Sequence, residues 1–130
     1  MATYTIEIED LGIINAGQPA GVLVGGISIP DNCTYSMEFT VVVRNTNMES
    51  WGCFYKAMWE RDIAGGVPLR VAGDVVQVWT CPGSYDWGYV VEVDANNDLQ
   101  IRAYGTVGAY DTKWCVTGVM RPCFAIGWEP

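Results

Sequence analysis

Histidine is absent from this 130-residue sequence, and with it go the commonest general base and the commonest metal ligand. Ser-His-Asp and Cys-His nucleophile pairs and His-based zinc sites are excluded outright. Cationic residues are scarce: seven Lys and Arg stand against fifteen Asp and Glu, a formal charge of −8. That balance repels a phosphate backbone, so nucleic acid is not an expected partner. No apolar run approaches the roughly 20 residues of a membrane-spanning helix, and the first residues lack the basic-then-apolar layout of a secretory signal. A soluble protein assembled in a cytoplasm is expected, with no membrane partner. The five cysteines, Cys33, Cys53, Cys81, Cys115 and Cys123, are odd in number and form no CxxC pair. Neither a zinc site nor a complete disulfide framework is indicated, and buried, reduced thiols acting as small apolar side chains are expected.

What the chain does have is alternation. Half its residues are hydrophobic, and a chain this long can bury roughly two thirds of its unfolded surface as one domain, here residues 1–130 with 1–26 as an N-terminal extension or edge strand. Tyr35, Met37, Phe39, Val41 and Val43 share one parity against Thr34, Ser36, Glu38, Thr40 and Arg44, the period of two of a half-buried strand. Trp51, Cys53, Tyr55, Ala57 and Trp59 repeat the pattern. A helix over 54–61 competes there, but the aromatic content favours β. Residues 3–9 alternate with Tyr4, Ile6 and Ile8 inward, and Val22-Leu23-Val24 forms a short strand whose partner the sequence does not assign. Gly65-Gly66-Val67-Pro68 breaks the chain before a short 69–71 segment and a separate strand from Asp74 to Cys81.

The stretch from Trp87 to Arg121 reads as a three-stranded meander. Trp87, Tyr89, Val91 and Val93 alternate, Asp94-Ala95-Asn96-Asn97-Asp98 supplies a turn, Leu99, Ile101 and Ala103 resume, and Trp114, Val116 and Met120 form the inward face of a third strand. Pro122 then interrupts, and residues 123–128 are expected as a final edge strand. About nine or ten short strands, without a convincing amphipathic helix or internal repeat, predict an all-β, single-domain antiparallel β-sandwich of jelly-roll type.

The same landmarks resemble a domain recurrent in tailed-bacteriophage structural proteins, particularly tail-fibre and other virion surface proteins. The matching segments are Ile29-Pro30-Asp31-Asn32-Cys33-Thr34-Tyr35, then Tyr55-Lys56-Ala57 with Arg61-Asp62, then Trp87 with Val91 and Val93, and finally Gly105-Thr106-Val107-Gly108 with Trp114. They follow one another in order over residues 27–121. Cys33 stands where the family has a small hydroxyl residue, the loop before Trp114 is one residue longer, and the first 16 residues have no counterpart. The resemblance implies a virion location, partners among the major capsid protein or other virion proteins, and a homo-oligomer, a trimer before a dimer.

Candidate chemistry is sparse. Glu38, Glu60, Asp62, Asp86 and Glu92 could pair as the two carboxylates of a glycosidase, but their outward parity or loop position reads as solvated charge. Asp94, Asn96 and Asp98 resemble the start of a calcium loop, yet no glycine follows Asp98 and no closing glutamate stands at the required distance. A plain turn is expected. Neither a catalytic set, a metal site nor a cofactor site is assigned. The expected function is contact: a bacteriophage capsid decoration, or cement, protein binding the outer shell. A tail-tip or fibre module recognising host carbohydrate is the alternative, with Tyr85 and Tyr110 as loop aromatics that stack on sugar or anchor a protein. Phe124, Ile126 and Trp128, on the uncharged C-terminal stretch, are the candidates for burial between subunits.

Overall fold

The computed structural model describes residues 5–16, 22–63, 65–80, 87–104 and 110–127, without the side chains of 22–24, 74–80 and 104. Two antiparallel sheets account for it. Eight strands run in chain order as β1 (Ile6–Ile14), β2 (Val22–Ile27), β3 (Cys33–Asn45), β4 (Ser50–Arg61), β5 (Leu69–Thr80), β6 (Gly88–Val93), β7 (Leu99–Tyr104) and β8 (Thr112–Phe124). The larger sheet has the order β1-β8-β3-β4-β5 and the smaller β2-β7-β6.

Parity decides which residues meet. Tyr35, Met37, Phe39, Val41 and Val43 on β3 are buried, as are Trp51, Cys53, Tyr55, Ala57 and Trp59 on β4 and Trp114, Val116 and Met120 on β8. Leu99, Ile101 and Ala103 of β7 join them in one core, so the inward faces of the two sheets oppose each other as the alternation requires. Aromatic rings bridge the layers. Tyr89 of β6 lies 5.8 Å from Phe39, 6.1 Å from Tyr55 and 6.5 Å from Trp51, tilted or edge-on, the geometry that ring quadrupoles favour. Where β8 crosses Phe39, a Cβ on Gly118 would fall on the Glu38 carbonyl and the Phe39 backbone. Glycine at 118 lets the two central strands close on that ring.

Four expectations change. The meander is split: β6 and β7 form the hairpin, but β7 pairs with β2, while β8 crosses to the other sheet to lie between β1 and β3. Against the nine or ten short strands expected, eight stand among the described residues. Positions 69–80 run as one strand, with its irregularities absorbed by register shifts opposite Gly52–Cys53 and Lys56–Trp59. Pro122 sits inside β8 opposite Tyr35 and does not end it; the described pairing with β1 stops at Met120, so its missing N–H breaks no ladder there. Residues 123 and 124 therefore finish an interior strand and form no edge of their own, and Gly127 turns the chain with φ +90°. The thiols also divide: Cys33 and Cys53 are buried, Cys115 is half-buried and Cys123 exposed, all four free, while Cys81 lies outside the described residues.

The described edges are β1 and β5 of the larger sheet and β2 and β6 of the smaller. Glu7, Glu9 and Asp10 give β1 the charges that discourage strand addition.

Candidate interaction surfaces

Three features of the larger sheet concentrate its polar chemistry: its two ends and its outward face. At the first end, β4 finishes on Arg61, only 5% exposed. Its Nε donates to the Gly66 carbonyl at 3.0 Å, and one terminal nitrogen donates to the Ile29 carbonyl at 3.2 Å and to Asp31 Oδ1 at 3.1 Å. The other donates to the Asn97 carbonyl and lies 3.6 Å from Asp98 Oδ1. A planar fork of five N–H donors suits such convergence. Asp31 also accepts from the Gly65 N–H, Asp98 accepts from the Ile29 N–H, and Asn97 donates to the Gly65 carbonyl. One guanidinium thus ties the β2–β3, β4–β5 and β6–β7 connections together. Two landmarks of the phage resemblance, Asp31 and Arg61, prove to be an ion pair.

The β6–β7 turn explains the alternating acids. The Asp94 carboxylate accepts from the backbone N–H of Asn96 at 2.8 Å and of Asp98 at 2.9 Å, and Asn97 takes φ +59°. These groups are spent on turn geometry and on Arg61. The other carboxylates singled out in the sequence are dispersed. Glu38 pairs with Arg121 at 3.0 Å across β3 and β8, while Glu92 accepts from Gln100 and Arg102 on the hairpin; those bonds, led by Gln100, hold its pKa below the usual value. Glu60 is half-buried beside Thr34, Asp62 is exposed, and Asp86 lies outside the described residues.

At the opposite end, β3 and β4 meet through Asn45, whose Oδ1 caps the N–H groups of Asn47 and Glu49 at 3.0 and 2.9 Å. Here Arg44 stands directly across from Lys113 of β8. Both are exposed. Among the described residues Arg44 donates to neutral acceptors, Ser50 Oγ at 3.1 Å and Met48 Sδ at 3.5 Å. Ile13, Asn45, Thr46, Asp111 and Thr112 complete with these two cations an open, largely apolar groove of about 360 Å3.

The outward face follows from the register, because residues opposed across a ladder share a side. Leu11, Cys115 and Val42 align across β1, β8 and β3, with Leu11 58% and Val42 47% exposed, and Ile13 flanks them at 59%. The next rows hold Glu9, Thr117, Thr40 and Phe54, then Glu7, Val119, Glu38 and Lys56. Among the described side chains, four cations (Arg44, Lys56, Lys113, Arg121) and four carboxylates (Glu7, Glu9, Glu38, Glu60) share this side and balance one another, in a chain whose net charge is −8.

Of the interface residues expected from sequence, Phe124 is half-buried against the core at the end of β8 and Ile126 is 99% exposed. Tyr110 is half-exposed just before β8, and Tyr85 and Trp128 lie outside the described residues. The structure does not gather the three described ones into one site. Sequence reasoning missed Arg44, Lys113, Leu11 and Val42, because their grouping depends on which strands become neighbours. No protein-family model, curated protein or solved structure matches the chain.

Proposed function

We propose that the protein works by contact, as a bacteriophage virion structural protein that decorates the outside of a capsid and bridges neighbouring capsomers. The observation that carries this reading is the outward face of the five-stranded sheet. It joins an apolar row, exposed Leu11 and Val42 with half-buried Cys115 between them, to balanced charge among the described side chains in a molecule of net charge −8. Such a face approaches a partner with little like-charge repulsion, and its apolar row supplies the desolvation that stabilises an interface. The pairing of the first strand with the last and of the second with the seventh supports a jelly-roll-type sandwich, an architecture used by viral capsid domains. The β3-β4-β5 run within a single sheet is a variation on that plan. Because folds host many functions, this analogy supports the reading only alongside the surface.

Within the same proposal the protein is a homo-oligomer, a trimer before a dimer, with Phe124 and exposed Ile126 at the contact. The virion reading predicts copy numbers near those of the major capsid protein when purified particles are quantified by mass spectrometry. It predicts loss of attachment in a folded Leu11→Lys/Val42→Lys variant. A few copies per particle, confined to the tail, would overturn it, as would undiminished attachment of the double variant. Light scattering that finds a monomer at high concentration would remove the oligomer.

A further inference from the structure

Two like charges directly opposed on neighbouring strands repel each other, and Arg44 and Lys113 occupy such a position without a carboxylate within ion-pairing distance among the described residues. Elsewhere cations meet acids: Arg61 pairs with Asp31 and Asp98, Arg102 with Glu92, and Arg121 with Glu38. The nearest acid in the groove, Asp111, is occupied otherwise, its Oδ1 accepting from the Ala16 N–H at 2.7 Å. Two of the five Arg44 N–H donors go to Ser50 and Met48, leaving three, and Lys113 contributes three more.

We propose that the groove at this end of the sheet is a binding site for a carboxylate side chain of a docked protein segment, held between Arg44 and Lys113 with apolar neighbours against Ile13. Three observations select that ligand. Arg44 and Lys113 hold one register position on neighbouring strands and both line the groove, so a planar oxyanion there has donors from two cations within its reach. Arg44 and Lys113 against Asp111 leave the groove one net positive charge, which matches a singly charged carboxylate better than a phosphate dianion. The walls are mostly apolar and run into the exposed Leu11–Val42 row, so a ligand with aliphatic residues beside its acid covers both. The site deepens the contact-based reading by naming the partner's chemistry, and it does not depend on the virion placement.

The probe is an acetylated, amidated peptide of sequence Ala-Ile-Glu-Ile-Ala, titrated into the isotope-labelled full chain while backbone amide resonances are followed, with its Gln counterpart and glucuronate as parallel titrations. Saturable shifts at Ile13, Thr46 and Lys113 with the Glu peptide are expected. The Gln peptide, Arg44→Gln and Lys113→Gln should each weaken binding by at least about tenfold, in line with loss of a charge-assisted contact, and added salt should weaken it further. The two variants lie on the exposed surface, and unchanged spectra away from the groove will show that they fold. Equal binding of the Gln peptide, absence of saturation, or saturation by glucuronate alone would overturn the site. None of these results bears on copy number in particles, so failure of the site and failure of the virion reading are distinguishable.

Discussion

Arg61, the last residue of β4, and Arg44, the last but one of β3, stand at opposite ends of the same strand pair, and their surroundings are inverted. Arg61 is buried and meets two carboxylates and three backbone carbonyls; Arg44 is exposed and meets a lysine. A buried charge survives only when its lost hydration is replaced by well-placed partners, so the Arg61 end is organised for cohesion, holding three connections to one group. An exposed pair of like charges contributes nothing to cohesion and leaves its donors to solvent or a ligand. One end of the sheet closes the fold, and the other is free to recognise something.

The largest effect expected from this contrast is at Arg61. Arg61→Met keeps the stem but removes the donors to Asp31, Asp98 and the carbonyls of Ile29, Gly66 and Asn97; both acids are partly exposed, so the loss expected is about 2–3 kcal/mol, below that for breaking a fully buried pair. Urea unfolding should show that loss, whereas Arg44→Met should change stability by less than about 0.5 kcal/mol, the range for surface substitutions. Similar values for the two variants would dissolve the comparison.

A second prediction sharpens the Arg61 end. The Tyr35 ring is buried in the core two residues from Cys33, the residue opposite Arg61, and its hydroxyl is buried without a hydrogen-bond partner; burial pushes its pKa well up. A buried, unsatisfied hydroxyl costs about 1–3 kcal/mol, so Tyr35→Phe should raise stability by about 1 kcal/mol once small packing losses are included. A loss of the same size would mean that the hydroxyl is engaged. The thiols test burial chemically at both ends of the β3–β4 pair, Cys33 beside Arg61 and Cys53 opposite Val41. Burial is the main cause that pushes both Cys33 and Cys53 up to about 11, so at mildly alkaline pH iodoacetamide should alkylate Cys123 and Cys115 well before them, as peptide mapping will show.

At the other end, Lys113→Glu replaces repulsion by an Arg44–Glu pair across β3 and β8. A gain of about 0.2–1 kcal/mol is expected, together with loss of carboxylate binding. Stability gained while recognition is lost is the signature of a site maintained at the fold's expense. A destabilised variant would show that Lys113 holds the fold in some other way.

Much of the fold was legible because parity is local. The buried faces of β3 and β4, the β6–β7 hairpin and its Asp94 turn follow from residues close in sequence. What parity does not specify is which strand lies beside which. Trp114, Val116 and Met120 show that 112–124 is a strand with an inward face, but not that it leaves the hairpin for the other sheet; only there do Arg44 and Lys113, or Leu11 and Val42, become neighbours. Pro122 misled for a related reason, since the cost of a missing N–H depends on whether a neighbouring strand needs it. Arg61 was visible as a landmark of the resemblance, while its partner Asp98 was read as part of a turn.

Between the two ends lies a charge of a third kind. Asp10 of β1 points inward against Gly25, where a Cβ would collide with its carboxylate, and it has no cation partner among the described residues; burial raises its pKa, partly offset by the hydrogen bond from the Gly26 backbone. The folded form therefore binds the Asp10 proton more tightly than the unfolded chain. Its ionisation costs stability at neutral pH, and that cost is relieved as pH falls through the raised folded value towards the unfolded one. Glu92 acts oppositely: its lowered pKa contributes stability above the unfolded value that is lost on acidification. The wild-type pH profile mixes the two, but Asp10→Asn keeps an acceptor for Gly26 and removes one of them. The variant should be the more stable protein at neutral pH, and its advantage should shrink steadily as urea midpoints are taken to about pH 4. A constant advantage across that range would mean that Asp10 does not titrate differently on folding, and a deficit at neutral pH would mean that the bond from Gly26 outweighs the burial of its charge.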